Sequence, residues 1–478
     1  MSNVDKNIRS FFMGTAVYMM ANVAIKLAQI LILPIITKEL SPSDFGIADL
    51  LQTFYGLLLP ILIMGFDSAF GAFHFEEDSD LYRSKVFNTI FFHLFASSLV
   101  AIALMFFAEP ISSLLFQTPK YALGVRIALG VVVVNLWIVP FSQLMRMEKK
   151  MKKFSAITLV GSLSLLMSNF YLVTVAHWGY LALILSIFIS YLLQLILFFF
   201  GIRPKMGKKY FDKELYKSIA KYALPFLPML IVVWILNMSD RFLLNYFLGP
   251  DPVGIYGIAA RFQSILAMVI SAIFATFSAF AFSNRKEEEA AESFVFVHNV
   301  LHLVLLAMAF FVSLFVEEFL RILVDSKFHQ AAVAIPPLLY GQVFYASHII
   351  FSYGFAFKKK STLNFWPALL GASVNLVLNY IFIPTYGVGA AAYTTLIGYG
   401  LMMSLTYYLA QRISPIPYHA IWTIGTSLAT FAICVIMQGS PLFIRTGAFL
   451  LAALAIAFLY RKTLKGVGRL LAQRIREN

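Results

Sequence analysis

The sequence reads as an all-α polytopic membrane protein. It predicts about fourteen transmembrane helices, in two six-helix lobes related by a pseudo-two-fold axis along the membrane normal, plus a C-terminal helix pair. Three observations predict this. Of the 478 residues, 60% are hydrophobic and 13% charged, with mean hydropathy +0.81, more apolar side chain than a water-soluble core of this size can hide. Apolar runs long enough to cross about 30 Å of hydrocarbon follow one another with short polar gaps. The chain also repeats itself. Lys149, Lys150, Gly161, Asn169 and Gly179 return 210 positions later as Lys359, Lys360, Gly371, Asn379 and Gly389. Leu40, Pro42, Gly46 and Ile47 return 208 positions later as Leu248, Pro250, Gly254 and Ile255, and Glu109 returns 209 later as Glu318. Matched Gly and Lys are harder to obtain by chance than Leu for Leu, so this is an internal duplication.

Taken in order, the apolar runs are 11–37, 46–70, 86–107, 122–145, 154–176, 179–200, 218–247, 253–282, 295–316, 331–356, 362–383, 388–410, 418–437 and 442–460. The first six form an N-lobe over 1–202 and the next six a C-lobe over 218–411. A basic cytoplasmic linker, 203–217, joins them, and 412–478 holds the last two helices and a basic tail. Because six is even, both copies enter the membrane in the same orientation, which puts the symmetry axis along the normal. The linker region mixes Met206, Tyr210, Leu215 and Ile219 with lysines, a pattern for an amphipathic helix on the inner leaflet or for a plain basic loop. Pro34, Pro60, Pro140, Pro225, Pro228, Pro336 and Pro337 fall inside or near the ends of runs, where each removes a backbone donor and favours a kink.

The formal net charge of +14 is not a nucleic-acid signal, because no aromatic-interleaved basic domain accompanies it. The cations sit in alternate loops: Arg146 to Lys153, Arg203 to Lys221, Lys358 to Lys360 and Arg461 to Arg476. That asymmetry is the positive-inside pattern and places both termini in the cytoplasm. The expected location is a bacterial cytoplasmic membrane. The single cysteine, Cys434, excludes an intrachain disulfide and argues against a thiolate metal site.

Polar groups inside the spans carry the functional signal, since an ionised side chain at mid-bilayer costs roughly 3 kcal/mol. Asn22, Lys26 and Gln29 share one face of the first helix with Tyr18. Lys26 lies about 22 Å along that helix from Phe11, too deep for an easy escape to the interface. Asn237 and Arg241 occupy the seventh helix, with Asp240 beside the arginine as an alternative partner for it. Arg261 and Arg126 lie within reach of an interface. Together these cations would give a cavity a positive field suited to an anionic substrate. His348 shares a face with Gly341, Tyr345 and Ser352, and fits a cavity wall or a hydrogen-bonded core position. Asp49 and Asp240 are the candidates to carry a coupling proton or sodium ion, with helix capping as the other reading of Asp49.

Catalytic chemistry finds no support. His298 and His302 have the spacing of a zinc pair but lack the intervening glutamate that would activate water. No phosphate-cradling glycine loop follows a strand. No catalytic residue, metal or cofactor is therefore expected.

The run LPIITKELSPSDFGIADLLQTFYGLLLPILIMGFDSAF, within Leu33 to Phe73, and NMSDRFLLNYFLGPDPVGIYGIAARF, Asn237 to Phe262, resemble polysaccharide-transport flippases of the multidrug, oligosaccharidyl-lipid and polysaccharide exporter superfamily. The resemblance implies a V-shaped two-lobe helical fold. It also implies alternating-access transfer of an undecaprenyl-diphosphate-linked oligosaccharide, for capsule, exopolysaccharide or O-antigen, between leaflets. In relatives, positive lumen residues engage the diphosphate or acidic sugars, and Lys26, Arg241 and Arg261 occupy the matching lobes. The implied partners are the lipid-linked oligosaccharide, cytoplasmic-membrane lipids and a glycan polymerase or chain-length machinery. Two rival readings follow: a cation-coupled multidrug antiporter of the same fold, and a membrane glycan polymerase or ligase, which would need larger outer loops than 108–121 and 317–330.

Overall fold

The computed structural model describes residues 32–283, 288–358, 360–461 and 463–466. Candidate residues Asn22, Lys26 and Gln29 lie outside the described residues. Two compact units emerge: Met1–Ile255 with Leu323–Lys327, and Tyr256–Ile322 with Phe328–Asn478. The division thus falls at 255, whereas the basic linker marks 203–217 in the sequence.

The first unit begins with α1 (Leu33–Glu39) and α2 (Pro42–Ile63). Ser41 and Asp44 form a reciprocal capping box at the start of α2, with Pro42 at its first turn, which satisfies donors that would otherwise be orphaned in an apolar setting. Pro60 lies inside α2, and four residues later Met64 (φ 53°) and Gly65 (φ 77°) end it. The second predicted span therefore continues as a separate helix, α3 (Phe66–His74).

There follow α4 (Asp80–Met105), a short α5 (Ala108–Phe116), α6 (Ala122–Met147), α7 (Met151–Thr174) and α8 (Tyr180–Ile202). Asp44 also accepts the Tyr180 N–H at 3.0 Å, so one carboxylate caps α2 and α8. Gly179 (φ 55°) makes this possible, because a Cβ there would lie 2.9 Å from Asp44 Oδ1.

Next come α9 (Lys213–Ala223) and α10 (Leu227–Leu248), joined by a 3-10 turn that contains Pro225. Of the 205–221 stretch only the part from Lys213 on is α-helical, and the apolar face of that helix packs on protein. Ile219 and Ala223 are fully buried against a cluster that includes Phe66, Phe70 and Phe87. This packing on α3 and α4 is why α9 belongs to the first unit despite following the linker.

The second unit takes most of α11 (Pro250–Ser283), then α12 (Glu288–Leu314), α13 (Val316–Leu323), α14 (Ile335–Phe357), α15 (Phe365–Ile413), α16 (Ala420–Ile436) and α17 (Leu442–Leu459). The long α15 is two helices across Gly387, whose φ/ψ of 57°/−134° matches the 55°/−137° of Gly179. The structural counterpart of Gly179 is therefore Gly387, 208 positions on, and the sequence pairing with Gly389 is corrected by a two-residue shift. Among the described residues, ten helices are long and apolar enough to cross a membrane, or eleven if the bent pair Ser326–Val333 and Ile335–Phe357 counts as one span. The kinked α15 counts once in that number, and α16 falls just short at 17 residues.

Lipid tails are as apolar as leucine, so packing and internal hydrogen bonds, rather than water exclusion, hold such helices together. Buried Asn375 and Asn379 bond to each other at 3.1 Å and to Thr394 and Thr395 across the Gly387 break. The repeated glutamates have diverged. Glu109 lies 3.8 Å from Arg126, both well exposed. Glu318 instead receives two hydrogen bonds from Arg445 of α17, at 2.5 and 2.9 Å, and Arg445 also donates to Leu314 O at 3.0 Å.

Partial burial raises the Glu318 carboxyl, but the hydrogen bonds and charge of Arg445 outweigh it and hold the carboxyl below its usual 4.5. A depressed folded-state value gives stability that is present above 4.5 and lost as pH falls through the depressed value. Docking of α17 should thus be insensitive to pH near neutrality and weaken only on strong acidification. Arg445→Leu should loosen α17 by about 2–3 kcal/mol, read as faster protease cleavage at 438–441; an unchanged rate would remove the pair from a structural role.

Candidate functional site

The first unit brings together candidates that are far apart in sequence. Asp49 lies two turns into α2, and α10 carries Asn237, Asp240 and Arg241. Arg241 Nε donates to Asp49 Oδ2 at 2.7 Å, and Nη1 donates to Asp240 Oδ1 at 3.2 Å and to the Asn237 carbonyl at 3.1 Å. The Asp240 carboxylate also accepts the Arg241 backbone N–H at 2.9 Å. Asn237 bonds back to Val233 O at 2.7 Å. The cluster is dry: Arg241 and Asp240 side chains are 9% and 2% exposed, and Asp49 20%.

A buried ion pair is held chiefly by the cost of separating it, since either partner left alone is an uncompensated charge. The arrangement ties α2 to α10.

Neighbouring contacts join the same elements. The Pro42–Gly46 turn of α2 and the Pro250–Gly254 turn of α11 cross glycine to glycine. A Cβ on Gly46 would lie 1.8 Å from Pro250 O, and one on Gly254 would lie 1.9 Å from Pro42 O. The repeated block thus contacts its own copy reciprocally. Asn245 Nδ2 donates to Leu115 O at 2.6 Å and Gln117 Nε2 to Tyr246 O at 3.0 Å. Thr37 Oγ1 accepts from Asp325 N at 3.1 Å, and Lys327 Nζ donates to Lys38 O at 2.9 Å.

The other candidates lie elsewhere. Arg126 is exposed beside Glu109. Arg261, on α11, is partly buried in the second unit. His348 is a buried core residue of that unit, with Nδ1 2.7 Å from Thr406 Oγ1. His298 and His302 are separately engaged with Ser347 at 3.3 Å and Thr426 at 3.1 Å. Among the described residues no group of three metal-ligating side chains assembles. The capping reading of Asp49 is corrected: Ser41 and Asp44 cap the helix, and Asp49 pairs with Arg241. The signal was in the sequence, because a complete S-x-x-D box at 41–44 leaves an acid at 49 without a capping task.

The model of the polysaccharide biosynthesis protein family matches residues 11–284, more than half of the chain. The chain belongs to that family. A second model, MatE, matches residues 225–381 of this polysaccharide biosynthesis protein. The uncharacterized membrane protein MJ1068 of Methanocaldococcus jannaschii is 24% identical over 221 residues, 44% of this chain and 43% of that relative, so the match spans less than half of the relative's length.

Among solved structures, an inward-facing multidrug resistance MATE family transporter of the MOP superfamily aligns with TM-score 0.69 at 14% identity, over 84% of this chain and 95% of that one. Lipid II flippase MurJ in an inward closed conformation aligns with TM-score 0.67 at 17% identity, over 95% and 98%. A MOP superfamily transporter from Pyrococcus furiosus, described by the reverse polarity of its binding pocket, aligns with TM-score 0.58 at 15% identity, over 86% and 96%. This polysaccharide biosynthesis family member shares the fold of these MOP superfamily proteins and, among the described residues, has ten or eleven helices long and apolar enough to cross a membrane.

Proposed function

We propose that the protein is a flippase that moves an undecaprenyl-diphosphate-linked oligosaccharide, a precursor of capsule, exopolysaccharide or O-antigen, from the inner to the outer leaflet of a bacterial cytoplasmic membrane. The termini and the basic connectors face the cytoplasm, in line with the positive-inside distribution. Lys26, with Asn22 and Gln29, engages the diphosphate, and the polyprenyl tail stays in lipid. The observation that carries the reading is the polysaccharide family match over 11–284.

Transfer proceeds by alternating access, in which the α2–α10 tie opens and closes. Asp49 and Asp240 are the coupling groups, since a proton or sodium ion on either competes with Arg241. A glycan polymerase or chain-length protein takes the product. The second reading, a cation-coupled multidrug antiporter, draws on the MatE match over 225–381.

Reconstituted vesicles distinguish the two. Fluorescent lipid-linked oligosaccharide should reach the opposite leaflet only with protein present, and Lys26→Ala should slow it by about tenfold or more, as loss of a charge-assisted contact does. Efflux of a cationic dye without lipid transfer would reverse the assignment.

A further inference from the structure

We propose that a cavity in the first unit, at the end carrying the basic connectors, is a binding site for a phosphate-bearing headgroup, separate from the Asp49–Arg241 cluster. It is an open pocket of about 490 Å3, lined by the last residues of α3, α6 and α8, the first two turns of α4 and the segment 202–205. That volume is ordinary for a small-ligand pocket.

Its charged lining is Arg83, Lys149, Arg203 and Lys205 against Asp80 and Glu148. The acids are already occupied: Glu148 pairs with Lys150 at 2.5 Å, and Asp80 lies 3.8 Å from Arg83. Among the described residues no acid pairs with Lys149, Arg203 or Lys205. Three exposed cations at the cavity therefore form no salt bridge of their own, and the lining carries four cations against two carboxylates.

The site is built rather than incidental. His74, 3% exposed, lines the cavity with an Nδ1 that has no hydrogen-bond partner, and the buried Nε of Arg83 has none either. Buried polar atoms left bare are costly, and both lie in side chains that wall this cavity. The segment that carries Arg203 and Lys205 is fixed to α4. Fully buried Asn88 donates to Lys205 O at 2.7 Å and accepts Gly207 N at 2.9 Å. Lys85 then pairs with Asp212 at 2.9 Å.

Lys149 (φ 57°) and Arg203 (φ 39°) end their helices in the left-handed region, where glycine is favoured. The sequence puts cations there instead. A cation at a helix C-terminus is worth about 0.3–1 kcal/mol, which accounts for either residue alone. It does not account for the cavity or for the bare buried imidazole. The guanidinium of Arg203 and the ammonium groups of Lys149 and Lys205 at one pocket match phosphate oxygens better than a sugar hydroxyl.

The inference uses the proposed sidedness only to place the site at the cytoplasmic face; the binding itself needs no translocation. The test uses the full chain. Inorganic diphosphate is titrated against detergent-purified protein by thermal shift, and nanodiscs of phosphatidylcholine with phosphatidylglycerol are analysed by native mass spectrometry for retained anionic lipid. Lys149→Gln/Arg203→Gln/Lys205→Gln is compared with Lys208→Gln/Lys209→Gln/Lys213→Gln, which removes equal charge outside the cavity; Arg203→Gln alone serves if the triple variant is unstable.

Saturable diphosphate binding that weakens about tenfold in the cavity variant, and by less than about twofold in the control, supports a free or lipid-linked diphosphate as ligand. Anionic lipid retained by the native protein and the control but lost from the cavity variant supports a lipid phosphate. Absence of both ligands, or equal loss in the two variants, overturns the proposal. Leaflet transfer is measured separately, so failure here leaves the flippase reading standing.

Discussion

Arg241→Met should destabilise the protein by about 3–5 kcal/mol and abolish transfer between leaflets, because it removes the guanidinium that pairs with two largely buried carboxylates. Arg241 satisfies Asp49 at 2.7 Å and Asp240 at 3.2 Å, and methionine offers neither charge nor donor. Arg241→Lys keeps the charge but reaches fewer acceptors than a guanidinium, so it should recover part of the stability. Asp49→Asn/Arg241→Met removes one stranded acid and should be more stable than Arg241→Met alone, a coupling that a double-mutant cycle measures directly. Thermal unfolding in detergent gives the stabilities and vesicle transfer gives the function. If the double variant restores stability without transfer, the cluster operates the tie rather than merely holding the fold. If Arg241→Met transfers normally, the cluster has no part in transport.

Much of the fold was legible because a membrane makes hydrophobic length a direct reporter of helices. Each apolar run within the described residues overlies a helix, and the breaks lie where backbone chemistry put them, at Met64–Gly65, Pro225 and Gly387. The register of the duplication was misread at one point, since Gly389 is an ordinary helical residue two positions past the glycine with the special φ. Spacing alone cannot separate two neighbouring glycines; only the backbone angle does.

The site was legible residue by residue but not as pairs. Asp49, Asn237, Asp240 and Arg241 were each visible as costly polar groups in apolar runs. The pairing of Asp49 with Arg241 joins positions 192 apart, a long-range contact no local pattern encodes. The Arg203–Lys205 pocket was hidden for the opposite reason. Its cations look like ordinary positive-inside residues, and only the bare His74 nitrogen and the pocket they share set them apart.

The glycine crossing makes the sharpest steric prediction. A methyl on Gly46 would stand 1.8 Å from Pro250 O and 2.9 Å from Gly254 N; a methyl on Gly254 would stand 1.9 Å from Pro42 O and 2.9 Å from Gly46 N. Both obstacles are backbone, so no side-chain rotation relieves them and the helix starts must separate. Gly46→Ala and Gly254→Ala should each cost about 3 kcal/mol, the upper end for overpacking, and the two values should agree because each glycine meets the other's turn. The double variant should cost much less than the sum, since the first methyl already opens the space the second would occupy. Under the alternating-access mechanism proposed above, a wedge of one methyl should favour a state in which the turns are separated. Crosslinking between cysteines introduced at Ser43 and Asp251 should then fall with either alanine. Unequal single effects, or strict additivity, would show that the two turns do not meet glycine to glycine.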